Sequence, residues 1–241
     1  YLRGMGKPRN ILFVQTAFIG DAILATAMIE SWHAAHPKDH LHLVVRSGNK
    51  SLFQGHPFLQ GLHVWKKAKN PFVRYRNLMA LGFELRGIGF DVLVTPHRHA
   101  SSGILALLAG AQTCSGFSSH PMSWLFAHSE EHAWGNGEHE IERNHRLLAP
   151  WVESDTPRNP KLYPTDNVDM SREEGEYGIA APASQWATKK WPIDRWIAWL
   201  DAEAIQSPNR RIVLMGGPAD GEELREIARQ SSHNRLEIRT D

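Results

Sequence analysis

Gly20-Asp21 stands between an apolar run, Ile11-Leu-Phe-Val14, and apolar positions Ile23, Leu24, Ala27, Met28, Trp32 and Ala35 that recur at helical spacing. The run reads as a buried strand. The pair therefore marks a tight turn from strand into helix, with a carboxylate in the helix's first turn. In open α/β sheets ligands bind just outside the carboxyl ends of strands, so Asp21 is placed where a catalytic group would act. The same position suits a helix cap, a role worth about 1 kcal/mol, and the residues alone leave both readings open.

Three further stretches have chemistry at the same kind of turn. Ala183-Ser-Gln-Trp-Ala-Thr-Lys-Lys-Trp-Pro192 lies between a strand and a helix, with Pro192 suited to the first helical position. Backbone N–H groups at such a terminus, with a lysine just ahead, make a site for a diphosphate. The plainer alternative is that Lys189 and Lys190 are solvated charges and Trp191 staples the helix end. Met215-Gly-Gly-Pro-Ala-Asp-Gly-Glu-Glu223 puts a glycine turn after a strand, where Asp220 can reach ribose hydroxyls. Glu222 and Glu223 there read as an acidic first turn complementing the helix dipole. Pro96-His-Arg-His-Ala-Ser-Ser102 ends another strand, and Arg98 can grip an anionic group bidentately; His97 and His99 read equally as polar loop residues.

The elements that must position these groups alternate strand and helix through the first half, which argues for βα units around a parallel sheet. Strands are predicted at 11–14, 41–46, 61–65, 91–95 and 113–117, with helices following the Gly20 turn and at 72–86, 102–109 and 140–151. Residues 118–138, rich in His, Trp, Gly and Ser, read as an irregular loop. The polar run Glu153-Ser-Asp-Thr-Pro-Arg-Asn-Pro160 is the best linker candidate. A second βα series then gives strands at 177–181 and 211–215, helices at 192–205 and 218–230, and a further strand at Leu236-Glu-Ile. The division predicted is 1–152, a linker region 153–174, and 175–241, the last too small for a complete Rossmann domain.

Composition narrows the class. The chain has 241 residues, 41% hydrophobic and 22% charged, with a formal net charge of +1. That is a globular composition without a disorder signature or the basic footprint of nucleic-acid binding. The single cysteine, Cys114, excludes an intrachain disulfide framework and suits a reducing cytoplasm. With one cysteine beside fourteen histidines, the chain has no Cys-x-x-Cys pair that would mark a metal site. No apolar run approaches the ~20 residues of a membrane span.

Four short motifs in this order, each at a strand-to-helix turn, resemble the lipopolysaccharide heptosyltransferases, glycosyltransferase family 9. His139-Glu-Ile-Glu-Arg-Asn-His-Arg-Leu-Leu148 also resembles that family's helix before the interdomain linker, with Glu142 and Arg143 as interhelical contacts. The resemblance implies a GT-B architecture: two Rossmann-like domains with parallel sheets, the first binding the acceptor, the second the nucleotide sugar, and catalysis in the cleft between them. It implies inverting transfer of heptose from ADP-heptose to the lipopolysaccharide inner core, with Asp21 as general base. Ser184 and Lys189 match the residues on the donor diphosphate, Asp220 the turn at the nucleotide, and Arg98 an acceptor contact. Where many members have a second basic residue after that arginine, this chain has Ser101 or Ser102. The family's Asp-Ser/Thr-Gly-x-x-His-x-Ala donor motif does not occur before Asp241, so the resemblance implies a C-terminally truncated chain whose second domain is incomplete. It further implies no metal and no cofactor beyond the donor substrate. The implied setting is the cytoplasm at the inner face of the inner membrane, with a lipid A-core acceptor, a peripheral visit to the membrane and no nucleic-acid partner. A different nucleotide-sugar donor and a non-catalytic sugar-nucleotide binding fragment are the rival readings.

Overall fold

Strand alternation decides the first sheet. Along β1 (Asn10–Val14), Ile11 and Phe13 enter one hydrophobic cluster while Leu12 and Val14 enter another, as the two-residue period of a strand requires. Both faces of the sheet are therefore covered, and its strands read as near-continuous apolar runs. The structure is a computed structural model that describes residues 7–133, 135–164, 176–184 and 186–240. It divides into two units, Tyr1–Asp169 and Met170–Asp241.

In the first unit β1 is joined by β2 (His40–Arg46), β3 (Leu59–Trp65), β4 (Val92–Thr95), β5 (Thr113–Phe117) and β6 (His128–Glu130). Their order is β3-β2-β1-β4-β5-β6, and every pairing is parallel. The helices are α1 (Ile19–Ala35), a single turn α2 (Lys50–Phe53), α3 (Pro71–Arg86), α4 (Ala100–Ala109) and α5 (Glu140–His145). Trp32 of α1 anchors one layer: its ring meets Phe13 edge-on at 6.1 Å and Trp151 at 5.5 Å, and its indole N–H donates to Asp39 at 3.0 Å. The other layer holds α3 and α4, which close in where Gly82 leaves room for Leu108; a Cβ at Gly82 would stand 2.5 Å from the Leu108 Cβ.

Two expectations for this unit change. The stretch 118–138 contains the sixth strand, β6, paired with β5 through Ser115, Gly116 and Phe117. His128-Ser-Glu130 shows no alternation because it is a three-residue polar edge strand, a form that blunts a sheet edge. The helix predicted over 140–151 stops at His145 and tightens into a 3₁₀ turn, Arg146–Leu148, that drives both Leu147 and Leu148 into the core. Ala149 keeps helical backbone ahead of Pro150, and the chain turns once more as the Trp151 and Val152 N–H groups both donate to the Leu148 carbonyl. Glu142 accepts from the His139 N–H at 2.8 Å to close a capping box, and Arg143 reaches the Ala133 carbonyl, so both serve the local structure.

Beyond Pro150, described residues of the stretch read as linker lie against α1: the Arg158 N–H donates to Ser31, the Lys161 N–H to Thr26, and the Tyr163 hydroxyl to Glu30. Residues 165–174 of that stretch lie outside the described residues.

The second unit holds β7 (Tyr177–Ala180), β8 (Arg211–Met215) and β9 (Leu236–Arg239) in the parallel order β7-β8-β9, with α6 (Ile193–Gln206) and α7 (Gly221–Gln230). Its core joins Ala180, Ile212 and Leu214 of the sheet to Leu200, Leu224 and Ile227 of the helices. Pro192 is the N-cap of α6 rather than its first residue, and a 3₁₀ turn, Pro218–Asp220, precedes α7. The described residues thus give α/β architecture with two all-parallel sheets, of six and three strands.

Candidate functional site

β1 is the seam of the larger sheet. The chain builds outward through β2 and β3, returns to place β4 on the other side of β1, and continues outward through β5 and β6. Where strand order reverses in this way, the loops leaving the two central strands diverge and open a crevice at their carboxyl ends. A cavity of about 680 Å³ occupies that place. Its walls are the loop after β1, with Thr16, the first turn of α1, with Asp21, and the loop after β4, with His97 and Arg98. The two sequence-predicted residues of this unit, Asp21 and Arg98, are thereby brought to one cavity.

Asp21 is the third residue of α1. It does not cap the helix: Phe18 occupies the N-cap position without a side-chain hydrogen bond. Among the described residues no hydrogen bond or ion pair engages the Asp21 carboxylate. The loop around it is well tied. The Gln15 N–H donates to the Val44 carbonyl at 3.0 Å, the Gln15 side chain accepts from the Ala17 N–H at 3.2 Å, and Asn49 donates to the Ala17 carbonyl at 3.3 Å. Opposite, Ser102 is buried and consumed in holding the β4 loop: its hydroxyl lies 2.7 Å from the His97 and His99 carbonyls and 3.1 Å from His120. Ser102 is therefore a loop brace, and Ser101 is the serine that reaches the cavity.

Sequence reasoning missed most of the cavity's charge. Arg46 leaves the end of β2, Lys67 follows β3, and Arg74 projects from the first turns of α3; all three line the cavity with Arg98. The Arg46 guanidinium sits 4.9 Å over the Phe18 ring and the Lys67 ammonium 5.6 Å from the Trp65 ring. Among the described residues none of Arg46, Lys67 and Arg74 forms an ion pair, so their charge is available to a ligand. The signal was in the sequence, as Arg46 at the end of one strand and Lys67 just past the next, but only strand order shows that those ends converge. His97 also belongs to the site: burial, with the neighbouring His99 and Lys67 charges, pushes its imidazole down to about 3, and its Nδ1 lies 3.2 Å from the Thr16 hydroxyl. A neutral ring therefore joins the two loops.

The other predicted residues sit in the second unit, in loops leaving the neighbouring strands β7 and β8 at one end of that sheet. Ser184 accepts from the Trp186 N–H at 3.2 Å, which leaves its own hydroxyl proton free to donate. The two lysines differ. Lys190 pairs with Glu223 at the start of α7, tying the loops together, whereas Lys189 is exposed and without a partner among the described residues. Asp220 accepts from the Gly217 N–H at 2.8 Å, shaping the turn with one oxygen. Gly216 is required beside it, since a Cβ there would stand 2.9 Å from the Asp220 Cβ. Gln185, within the same stretch, lies outside the described residues.

The family model for glycosyltransferase family 9 (heptosyltransferase) matches residues 78–238. No curated protein sequence matches. Among solved structures, a glycosyl transferase family 9 protein from Veillonella parvula superposes with a TM-score of 0.81 at 17% identity, over 99% of this chain and 72% of that one. The E. coli ADP-heptose lipopolysaccharide heptosyltransferase II gives 0.76 at 18% identity, over 96% and 72%. E. coli heptosyltransferase WaaC, solved with ADP, gives 0.72 at 20% identity, over 96% and 74%. These likenesses establish the fold, including the first unit's β1 turn, which the family match does not reach.

Proposed function

The chain belongs to glycosyltransferase family 9 (heptosyltransferase), and from that premise we propose inverting transfer of a heptose from ADP-heptose to an anionic sugar of the lipopolysaccharide inner core. The observation that carries the reading is Asp21: a carboxylate with no structural partner among the described residues, in a cavity whose lining also includes four cations, Arg46, Lys67, Arg74 and Arg98, against one further carboxylate, Glu140. The cations draw in an acceptor bearing carboxylate or phosphate groups, and Arg98 grips one of them bidentately. Asp21 takes the proton from the acceptor hydroxyl as its oxygen attacks the anomeric carbon, on the face opposite the leaving diphosphate. General-base assistance of this kind contributes about 10²–10⁴-fold.

The negative charge that develops on the departing ADP is met by Lys189 and the hydroxyl proton of Ser184, with the first N–H groups of α6 adding their dipole. Asp220 keeps one carboxylate oxygen for a ribose hydroxyl. This division of labour needs no metal. It also predicts a split phenotype. Asp21→Asn should lower turnover by about 10²-fold or more while ADP affinity stays within about twofold. Transfer assayed with ADP-heptose and a delipidated core acceptor, beside calorimetric ADP binding, makes the test; undiminished transfer removes Asp21 as the base. A panel of nucleotide sugars in the same assay decides the donor.

A further inference from the structure

The side of α3 turned away from the core is apolar too. Leu78, Leu81 and Leu85 fill its inner face, while Phe72, Met79 and Phe83 follow one another at spacings of seven and four along the outer face, with Arg76 among them. Phe72 is 77% exposed, Phe83 60% and the adjacent Tyr75 54%. A helix that packs one face on a core ordinarily presents charge on the other, so this second apolar stripe has no role within the unit.

The residues around the stripe identify its partner. From Lys66 to Arg86 the sequence carries Lys66, Lys67, Lys69, Arg74, Arg76 and Arg86 against the single carboxylate of Glu84, in a chain whose overall charge is only +1. The centres of protein–protein interfaces are depleted in lysine. Aromatic side chains inside a cationic collar instead match an anionic bilayer: rings lodge among the headgroups, and each lysine or arginine is drawn by the negative surface potential. Among the described residues no helix is long and apolar enough to cross a membrane. Pro71, Arg74 and Tyr75 of the same helix also line the cavity that holds Asp21.

We propose that the outer face of α3, with the lysines before it, docks the protein on an anionic phospholipid surface. The docked face adjoins the mouth of the acceptor cavity, so a lipid-borne acceptor would meet the cavity without leaving the bilayer. The docking itself rests on the exposed face and its charges and does not depend on the reaction proposed above.

Co-sedimentation of the chain with vesicles of phosphatidylcholine alone, or with about a third phosphatidylglycerol, is the test. Each basic residue near the surface is worth about fivefold in partitioning, so anionic vesicles should bind at least about tenfold more chain than neutral ones, and high salt should release it. The double variant Phe72→Ser/Phe83→Ser should lower partitioning at least about tenfold, and Arg76→Glu should lower it independently. Ile205→Ser, an 82% exposed apolar residue of α6, should not. Equal binding to neutral vesicles, no binding to anionic ones, or full binding by the double variant with its thermal unfolding unchanged would each overturn the proposal. On a delipidated acceptor the double variant keeps normal transfer, so a failure of docking is distinguishable from a failure of the catalytic reading.

Discussion

Two adjacent lysines offer a test in which binding and stability must come apart. Lys190 and Glu223 are 32% and 21% exposed and in ion contact, and the second carboxylate oxygen of Glu223 is buried without a partner. Removing the ammonium leaves a half-buried carboxylate uncompensated. Exposed pairs are worth at most about 1 kcal/mol and broken buried pairs cost about 3–5 kcal/mol, so Lys190→Ala should destabilise the second unit by about 2 kcal/mol. Lys189 is exposed and unpaired among the described residues, and its truncation should cost under about 0.5 kcal/mol. If the Lys189 ammonium holds a diphosphate oxygen, its loss instead removes a charged hydrogen bond worth about 1.5–3 kcal/mol, or about 10–150-fold in the Kd for ADP. Urea unfolding reads the first quantity and calorimetric titration with ADP the second. Lys190→Ala should lower the unfolding midpoint with ADP affinity little changed, and Lys189→Ala should do the reverse. An unchanged Kd in Lys189→Ala, or equal losses of affinity in both variants, would refute the assignment.

Charge removal at the cavity should separate the two substrates: Arg46→Ala/Arg74→Ala is expected to raise the acceptor KM about tenfold or more while leaving ADP affinity unchanged. Loss of ADP binding would show that these cations serve the donor. Acid should destabilise the first unit well above the carboxylate range. Burial pushes the His42 and His56 imidazoles from 6.5 down to about 4, for His56 despite the Glu30 carboxylate 3.6 Å away. The unfolded chain takes up these protons first, so stability is complete above pH 6.5 and falls as pH drops toward 4, by roughly 2 kcal/mol per histidine at pH 5. Unfolding midpoints at pH 7 and 5 measure the loss, and His42→Gln should flatten it; equal midpoints would contradict the buried-neutral assignment. At the α3–α4 contact, Gly82→Val should cost about 1–3 kcal/mol by forcing Leu108 aside, read as a lowered thermal midpoint, and an unchanged midpoint would show that the helices can part freely.

The strands were legible because burial on both faces writes itself as runs of apolar residues: Ile11–Val14, Leu43–Val45 and Val92–Val94 need no partner to be recognised. β6 was not, since His128-Ser-Glu130 becomes a strand only through the edge that β5 offers. In the site, Asp21 and Arg98 were found because each lies in a local motif at one strand end. Arg46, Lys67 and Arg74 were missed because each is an ordinary surface cation in its own segment. Their convergence follows from the order β3-β2-β1-β4, a pairing no local pattern encodes. The outer apolar stripe of α3 hid for a related reason: with apolar residues on both faces, no single amphipathic face stands out along the sequence.

The start of α1 shows what separates a structural aspartate from a chemical one. A helix beginning at Ile19 leaves its first N–H groups without intrahelical partners, and the local remedy is Ser, Thr, Asp or Asn at the N-cap, worth about 1 kcal/mol. This chain places Phe18 there and its aspartate three residues later. An aspartate at the N-cap would be turned onto the backbone and have its lone pairs engaged. At the third position it gains no side-chain cap and lines the cavity instead. Local rules broken without structural compensation tend to mark functional sites. Here the departure has a direct chemical consequence, because a base must have an unengaged oxygen at the moment a hydroxyl arrives. The ring of Phe18 is occupied by Arg46, 4.9 Å above it, so the residue that forgoes the cap also holds one of the cations beside the acid. Phe18→Asn should then stabilise the helix by about 1 kcal/mol while weakening acceptor binding. A variant that gained stability at no cost in KM would show the missing cap to be incidental.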